Sequence, residues 1–216
     1  MNARALIALL LAAAAAGCTV DNNASVRISA ACFPPTPNDD GSCSYPSTCD
    51  SVMLDNLWVD PSWAPTGGTL VWPFQVDNQR PDNSNNDGRT NTATAFITGF
   101  KIAYTSSAIS LPEVTIDYTT RTIESESAQV LSIPVVPLSV ATQLTAIPGG
   151  FGTMRAEIRA TGHYGDGTAI ETGPFSVVIA VDVGGWTPAT CVDPLAVVVG
   201  YCPQPGQTSI SLCKAP

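Results

Sequence analysis

The chain has 216 residues, a net charge of −9 and only two lysines, Lys101 and Lys214. Nucleic-acid binding rests on clustered basic side chains that displace counterions, and this composition excludes it. Hydrophobic residues reach 44% while charged ones stop at 12%, about half the usual quarter. Thr, Ser, Asn, Gln and Gly must therefore cover the surface, which suits an exported β-protein better than a cytosolic enzyme.

In chain order, Met1-Asn2-Ala3-Arg4 is a short basic head and residues 5–16 are an unbroken apolar run. A charged start, an apolar middle and a small-residue end make an export signal. The run is too short for a spanning helix, which needs roughly 20 residues. Its end, Ala15-Ala16-Gly17-Cys18, resembles the lipobox of bacterial lipoproteins. That resemblance implies cleavage before Cys18 and a diacylglycerol on its thiol. With Thr19 rather than Asp next, it also implies the outer membrane. Residues 1–17 are then the signal peptide and 18–31 a small, polar tether in which Val26 and Ile28 could alternate as a short strand. Residues 32–216 form a single domain with its core at about 50–190.

The cysteines agree with this address. There are seven, and exported cysteines normally pair, so an odd one needs an explanation. With Cys18 lipidated, six remain: Cys32, Cys43, Cys49, Cys191, Cys202 and Cys213. They lie in two clusters around a cysteine-free middle, so the terminal segments are expected to be stapled by disulfides. Six cysteines allow fifteen pairings, and spacing does not choose among them. None forms the close Cys-x₂₋₄-Cys pair of a zinc site.

The middle alternates with period two. Leu70, Trp72, Phe74 and Val76 share one face of a strand, which Pro73 assigns to a sheet edge or a bulge. Phe96, Phe100, Ile102 and Tyr104 share a face of the next, with Gly99 marking a bulge. Val114, Ile116 and Tyr118 alternate with polar residues. So do Met154, Ala156, Ile158 and Ala160, then Phe175, Val177, Ile179 and Val181. Gly165-Asp166-Gly167 reads as a hairpin turn, since Asp-Gly accepts positive φ. No helical stripe follows residue 18, because Pro112, Pro134, Pro137, Pro148 and Pro174 interrupt the windows. The expectation is all-β: an antiparallel sandwich of immunoglobulin-like or fibronectin-like architecture with disulfide-stapled ends. The layout resembles small outer-membrane lipoproteins, a likeness that implies no activity.

Four groups of residues are candidates for chemistry. His163 is the only histidine, but it sits beside the hairpin turn and no Gly-x-Ser-x-Gly elbow accompanies it. Asn83, Asn85 and Asp87 stand at the first, third and fifth positions of a calcium-type loop, with Gly88 sixth. Thr94 replaces the chelating Glu at the twelfth, so a weak calcium site is the most this loop offers. Asp39-Asp40 and Glu124/Glu126 are close acidic pairs that read as solvated charges. Trp63 and Trp186 are candidates for a surface aromatic patch that stacks on sugars, whereas Trp72 is assigned to the core. The leading expectation is a non-catalytic structural or protein-interaction role in the envelope, with the membrane bound through the lipid on Cys18 and a protein or glycan as partner. A carbohydrate- or calcium-binding module comes next, and a hydrolase last. No cofactor is called for beyond that weak calcium.

Overall fold

The computed structural model describes residues 25–33, 36–38, 43–50, 52, 56–66, 70–84, 91–185, 197–202 and 210–214. The expectations for the signal peptide and for Cys18, Asn85, Asp87, Trp186 and Cys191 lie outside those residues.

Two sheets pack face to face. The smaller is antiparallel, with β5 (Leu70–Asn78) in the middle, β1 (Val26–Ala31) on one side and β8 (Ser127–Val136) on the other. The larger runs β4 (Leu57–Val59), β11 (Phe175–Asp182), β9 (Phe151–Tyr164), β6 (Ala95–Ser106) and β7 (Val114–Ile123). Within it β4 lies parallel to β11, and a short β10 (Ala169–Glu171) pairs the end of β9. The chain crosses from one sheet to the other between β5 and β6, again from β7 to β8, and again from β8 to β9. Such crossings between two packed, mainly antiparallel layers give the immunoglobulin-like sandwich that the alternation predicts, with the parallel β4–β11 pair as the departure from it.

The inward faces are those of the period-two pattern. Trp72, Phe74, Phe100, Ile102, Ile133, Ile158 and Ile179 are all fully buried between the layers. Tyr104 spans the gap and donates its hydroxyl to the Val135 carbonyl at 2.8 Å. Burial pushes that phenol well above its ordinary value. At one end of the sandwich Asn78, also buried, donates to the carbonyls of Ala93 and Ile123 and accepts the amide of Arg80. One amide side chain thereby satisfies three backbone groups from the connections at that end.

Four local expectations are corrected. First, β6 has its bulge at Ile97/Gly99, and the extra residue reverses the alternation. Ile97 therefore points inward, and Phe96 is turned outward against His163. Second, β5 is a central strand, not an edge. The Pro73 carbonyl accepts the amide of Cys32 at 2.9 Å, so the proline's missing N–H faces the side where β1 is giving out. Third, residues 26–31, assigned to the tether, instead form β1 of the sandwich, in which Val26 and Ile28 alternate and are buried, as expected of a short strand there. Fourth, a seven-residue helix, α1 (Leu138–Leu144), follows Pro137, whose carbonyl accepts the amides of Val140 and Ala141. A proline just before the first turn costs a helix nothing. Burial of Val140, Ala141 and Leu144 holds a helix too short to stand alone.

The Gly165-Asp166-Gly167 hairpin is present. Gly167 has φ 82°, and the Asp166 carboxylate accepts the amide of Thr168 at 2.8 Å. The returning chain pairs β9 twice, first as β10 and then as β11, with Thr172-Gly173-Pro174 between them. There the buried Thr172 exchanges hydrogen bonds with Ala160. Its amide donates to the Ala160 carbonyl and its hydroxyl accepts the Ala160 amide, both at 3.0 Å. A side chain thus stands in for the ladder beside a proline that cannot donate.

Candidate functional site

β1 starts with Val26 opposite Asn78 and ends with Ala31 opposite Phe74. It delivers the chain directly into Cys32, which is fully buried. Cys32 is held from several sides: its amide donates to Pro73, its carbonyl accepts the Trp72 indole N–H at 3.0 Å, and it bridges to Val52. It is bonded to Cys49, with a Cα–Cα distance of 5.2 Å. The segment between them is thereby closed into a loop hung from the core of the sandwich.

Inside this loop β2 (Thr36–Pro37) pairs with β3 (Cys43–Ser44), and the Ser44 hydroxyl donates to Asn38 at 2.8 Å. An open cavity of about 400 Å³ lies here, lined by Phe33, Thr36, Ser44, Tyr45, Thr48 and Asp50 among others. Phe33 is 56% and Tyr45 40% exposed. Partial burial raises the Tyr45 phenol above its ordinary 10.0, so it stays a hydrogen-bond donor at neutral pH. Asp50 accepts the Thr48 hydroxyl at 2.9 Å. None of the described lining residues is basic. The described lining thus offers ring faces, hydroxyls and one carboxylate.

The residues singled out in the sequence are not brought together. Asn83 uses its side chain on Thr92: its oxygen accepts the Thr92 amide at 2.8 Å and its nitrogen donates to the Thr92 hydroxyl at 2.6 Å. It closes the base of a loop, and its carbonyl is directed to that amide. Trp63 is half-buried in a 3₁₀ turn, Pro61–Thr66. The turn is fixed by buried Asp60, whose carboxylate accepts the amides of Ser62 and Gly184, each at 2.9 Å. His163 is exposed and stacks on Phe96 with ring centroids 5.3 Å apart. No hydrogen bond to its imidazole occurs among the described residues. Glu124 accepts the Thr94 hydroxyl at 3.0 Å, and Glu126 lies in the turn before β8 with φ 53°. Of the six paired-cysteine candidates, Cys32 and Cys49 are bonded to each other. Cys43 lies on β3, Cys202 on β12 (Val197–Cys202) and Cys213 on β13 (Ile210–Lys214). Among the described residues no group of three or more His, Cys, Asp or Glu is placed to hold a metal ion.

Phe33 and Tyr45 escape a reading that looks for tryptophans. The available signal is their position: both lie inside or beside a short, proline-rich, cysteine-bounded loop. Such a loop cannot enclose a core of its own, so large rings within it stay near the surface. Compared with protein-family models, curated proteins and solved structures, the chain matches none.

Proposed function

We propose that this chain is a lipoprotein of the bacterial outer membrane, anchored through Cys18, that binds another envelope protein through the aromatic rim of its Cys32–Cys49 loop. One observation carries the reading. Chain entering from Cys18 reaches the sandwich at Val26, beside Asn78, whereas the loop with Phe33 and Tyr45 begins at the opposite end of β1. Six residues of strand separate these ends by about 20 Å. The anchored segment and the loop therefore leave the sandwich from opposite ends of β1, which favours a loop turned away from the bilayer. Two or more acyl chains hold a protein stably, whereas one holds it only marginally, so the function is that of a resident of the envelope.

A second reading is favoured by the hydroxyls of Thr36, Ser44 and Thr48 and the Asp50 carboxylate beside the rings, a mixture that also suits a glycan. The two are separated with the full-length chain in a bacterial envelope. Fatty-acid labelling of wild type and Cys18→Ser tests the anchor. Crosslinking of wild type and a Phe33→Ser/Tyr45→Ser variant tests the rim. The expected result is labelling only with Cys18 present and protein neighbours lost in the rim variant, whose melting temperature stays unchanged because both rings are exposed. Unchanged neighbours would remove the rim from the proposal. Neighbours absent from both proteins, with calorimetric binding of envelope oligosaccharide to wild type alone, would favour the glycan.

A further inference from the structure

We propose that the cavity of the Cys32–Cys49 loop takes a proline-rich, polyproline-type segment of its partner with a basic residue beside the prolines. It rests on the reading of the loop as a protein-binding rim, and adds which kind of segment that rim receives. The backbone of the loop disfavours the commoner mode of peptide capture. Addition of a strand needs a run of unpaired main-chain groups along a sheet edge. Here β2 and β3 have two residues each, they pair with each other, and Pro37 has no N–H.

Rings and hydroxyls fit a polyproline helix instead. Phe33 and Tyr45 are exposed and line the cavity together with Pro46, and the rings of a proline-rich segment dock on aromatic faces of this kind. Such a helix makes no internal hydrogen bonds, and its prolines have carbonyls that accept but no N–H to donate. The cavity matches that one-sided demand with donors. Among the described residues no partner takes up the hydroxyls of Thr36, Tyr45 and Ser47, whereas those of Ser44 and Thr48 are committed to Asn38 and Asp50.

Size and charge narrow the segment further. A volume of about 400 Å³ is that of a cube about 7 Å on a side, which accommodates about two to three residues at about 3.1 Å each, or one turn of the helix. Asp50 is the one charged side chain of the described lining, and it is exposed. A Lys or Arg next to the prolines gains an ion pair there, and an acidic residue is repelled. The loop is closed by its disulfide and pinned at Cys32 by Trp72. A stiff ligand thus meets a preformed site, and little ordering accompanies binding on either side.

The test is fluorescence anisotropy of labelled peptides added to the full-length protein purified from the envelope. The peptides are a blocked proline oligomer, the same oligomer ending in Arg, the same ending in Glu, and a Gly/Ser peptide of equal length. The expected result is binding of the proline peptides and not of the Gly/Ser peptide, with Arg favoured over Glu by about two- to fivefold, the range of an exposed ion pair. Asp50→Asn should remove that preference and keep the proline peptides bound. Phe33→Ser/Tyr45→Ser, with its melting temperature unchanged, should bind none. No response to any proline peptide, an equal response in the rim variant, or no preference for Arg over Glu overturns the proposal. Binding of envelope oligosaccharide in place of the peptides overturns it too. Crosslinking separates this failure from that of the underlying reading. Neighbours lost in the rim variant while no peptide binds overturn the proline-rich segment alone. Peptides bound as expected while no neighbour is found overturn the envelope partner alone and support the cavity's preference.

Discussion

The indole N–H of Trp72 donates to the main-chain carbonyl of Cys32 at 3.0 Å, and both residues are fully buried. The largest side chain of the core thus fixes the point where the disulfide loop leaves the sandwich. Trp72→Phe keeps most of the packing but removes the donor. An unpaired buried carbonyl costs about 1–3 kcal/mol, and each kcal/mol moves the midpoint by about 2–4 °C in a chain of this size. The variant is expected to melt about 2–12 °C lower by circular dichroism. An unchanged midpoint would show that this bond adds nothing to stability.

The Cys32–Cys49 bond spans a sequence separation of 17. Closing a loop of that size restricts the unfolded chain by about 3 kcal/mol. A Cys32→Ala/Cys49→Ala protein is expected to lose about that much in urea unfolding. Its m-value should rise, because the freed denatured chain exposes more surface. A steeper loss would point to damage within the buried Cys32 site in addition to the entropic effect.

Gly162 lies opposite the β6 bulge, where a Cβ would run into the carbonyl oxygen of Phe96 and sit 3.0 Å from the Cα of Ile97. Both neighbours are backbone in the centre of the larger sheet and cannot swing aside. Gly162→Ala should cost at least the 1–3 kcal/mol typical of overpacking. Gly167→Ala meets nothing within 4 Å but must hold φ 82°, a penalty of about 1–2 kcal/mol. Melting curves of the pair should rank Gly162→Ala as the more damaging, and the reverse order would move the tight contact elsewhere.

On the outer face of the larger sheet Glu171 accepts from Lys101 at 2.6 Å and lies 3.6 Å from Arg159. The hydrogen bond from Lys101, foremost, holds its carboxyl below the ordinary 4.5. Because the folded value is the lower one, the stabilisation is complete above pH 4.5 and is lost as pH falls through the depressed value. Lys101→Met should return Glu171 towards its ordinary titration, as followed by carboxyl-carbon NMR, and remove that part of the acid sensitivity. Both side chains are about 40% exposed, so at neutral pH the change in stability should stay below about 1 kcal/mol and shrink in high salt.

Strand alternation was readable wherever a residue's environment repeats every second position. The inward sets of β5, β9 and β11, the burial of Trp72 and the Gly165-Asp166-Gly167 hairpin all follow from that local period, and with them the sandwich class. Other features depended on what lies across the strand. Pro73 is tolerated in a central strand because β1 ends beside it, and Phe96 faces outward because the bulge at Gly99 shifts the count by one. α1 exists because three of its side chains find the core. The rings of Phe33 and Tyr45 line a common cavity because Cys32 bonds to Cys49 and is pinned by Trp72. Composition and period record how each residue prefers to meet water, and that preference is local. Pairing, register and the closing of a loop come from contacts between residues far apart in the chain, so only the folded molecule determines them.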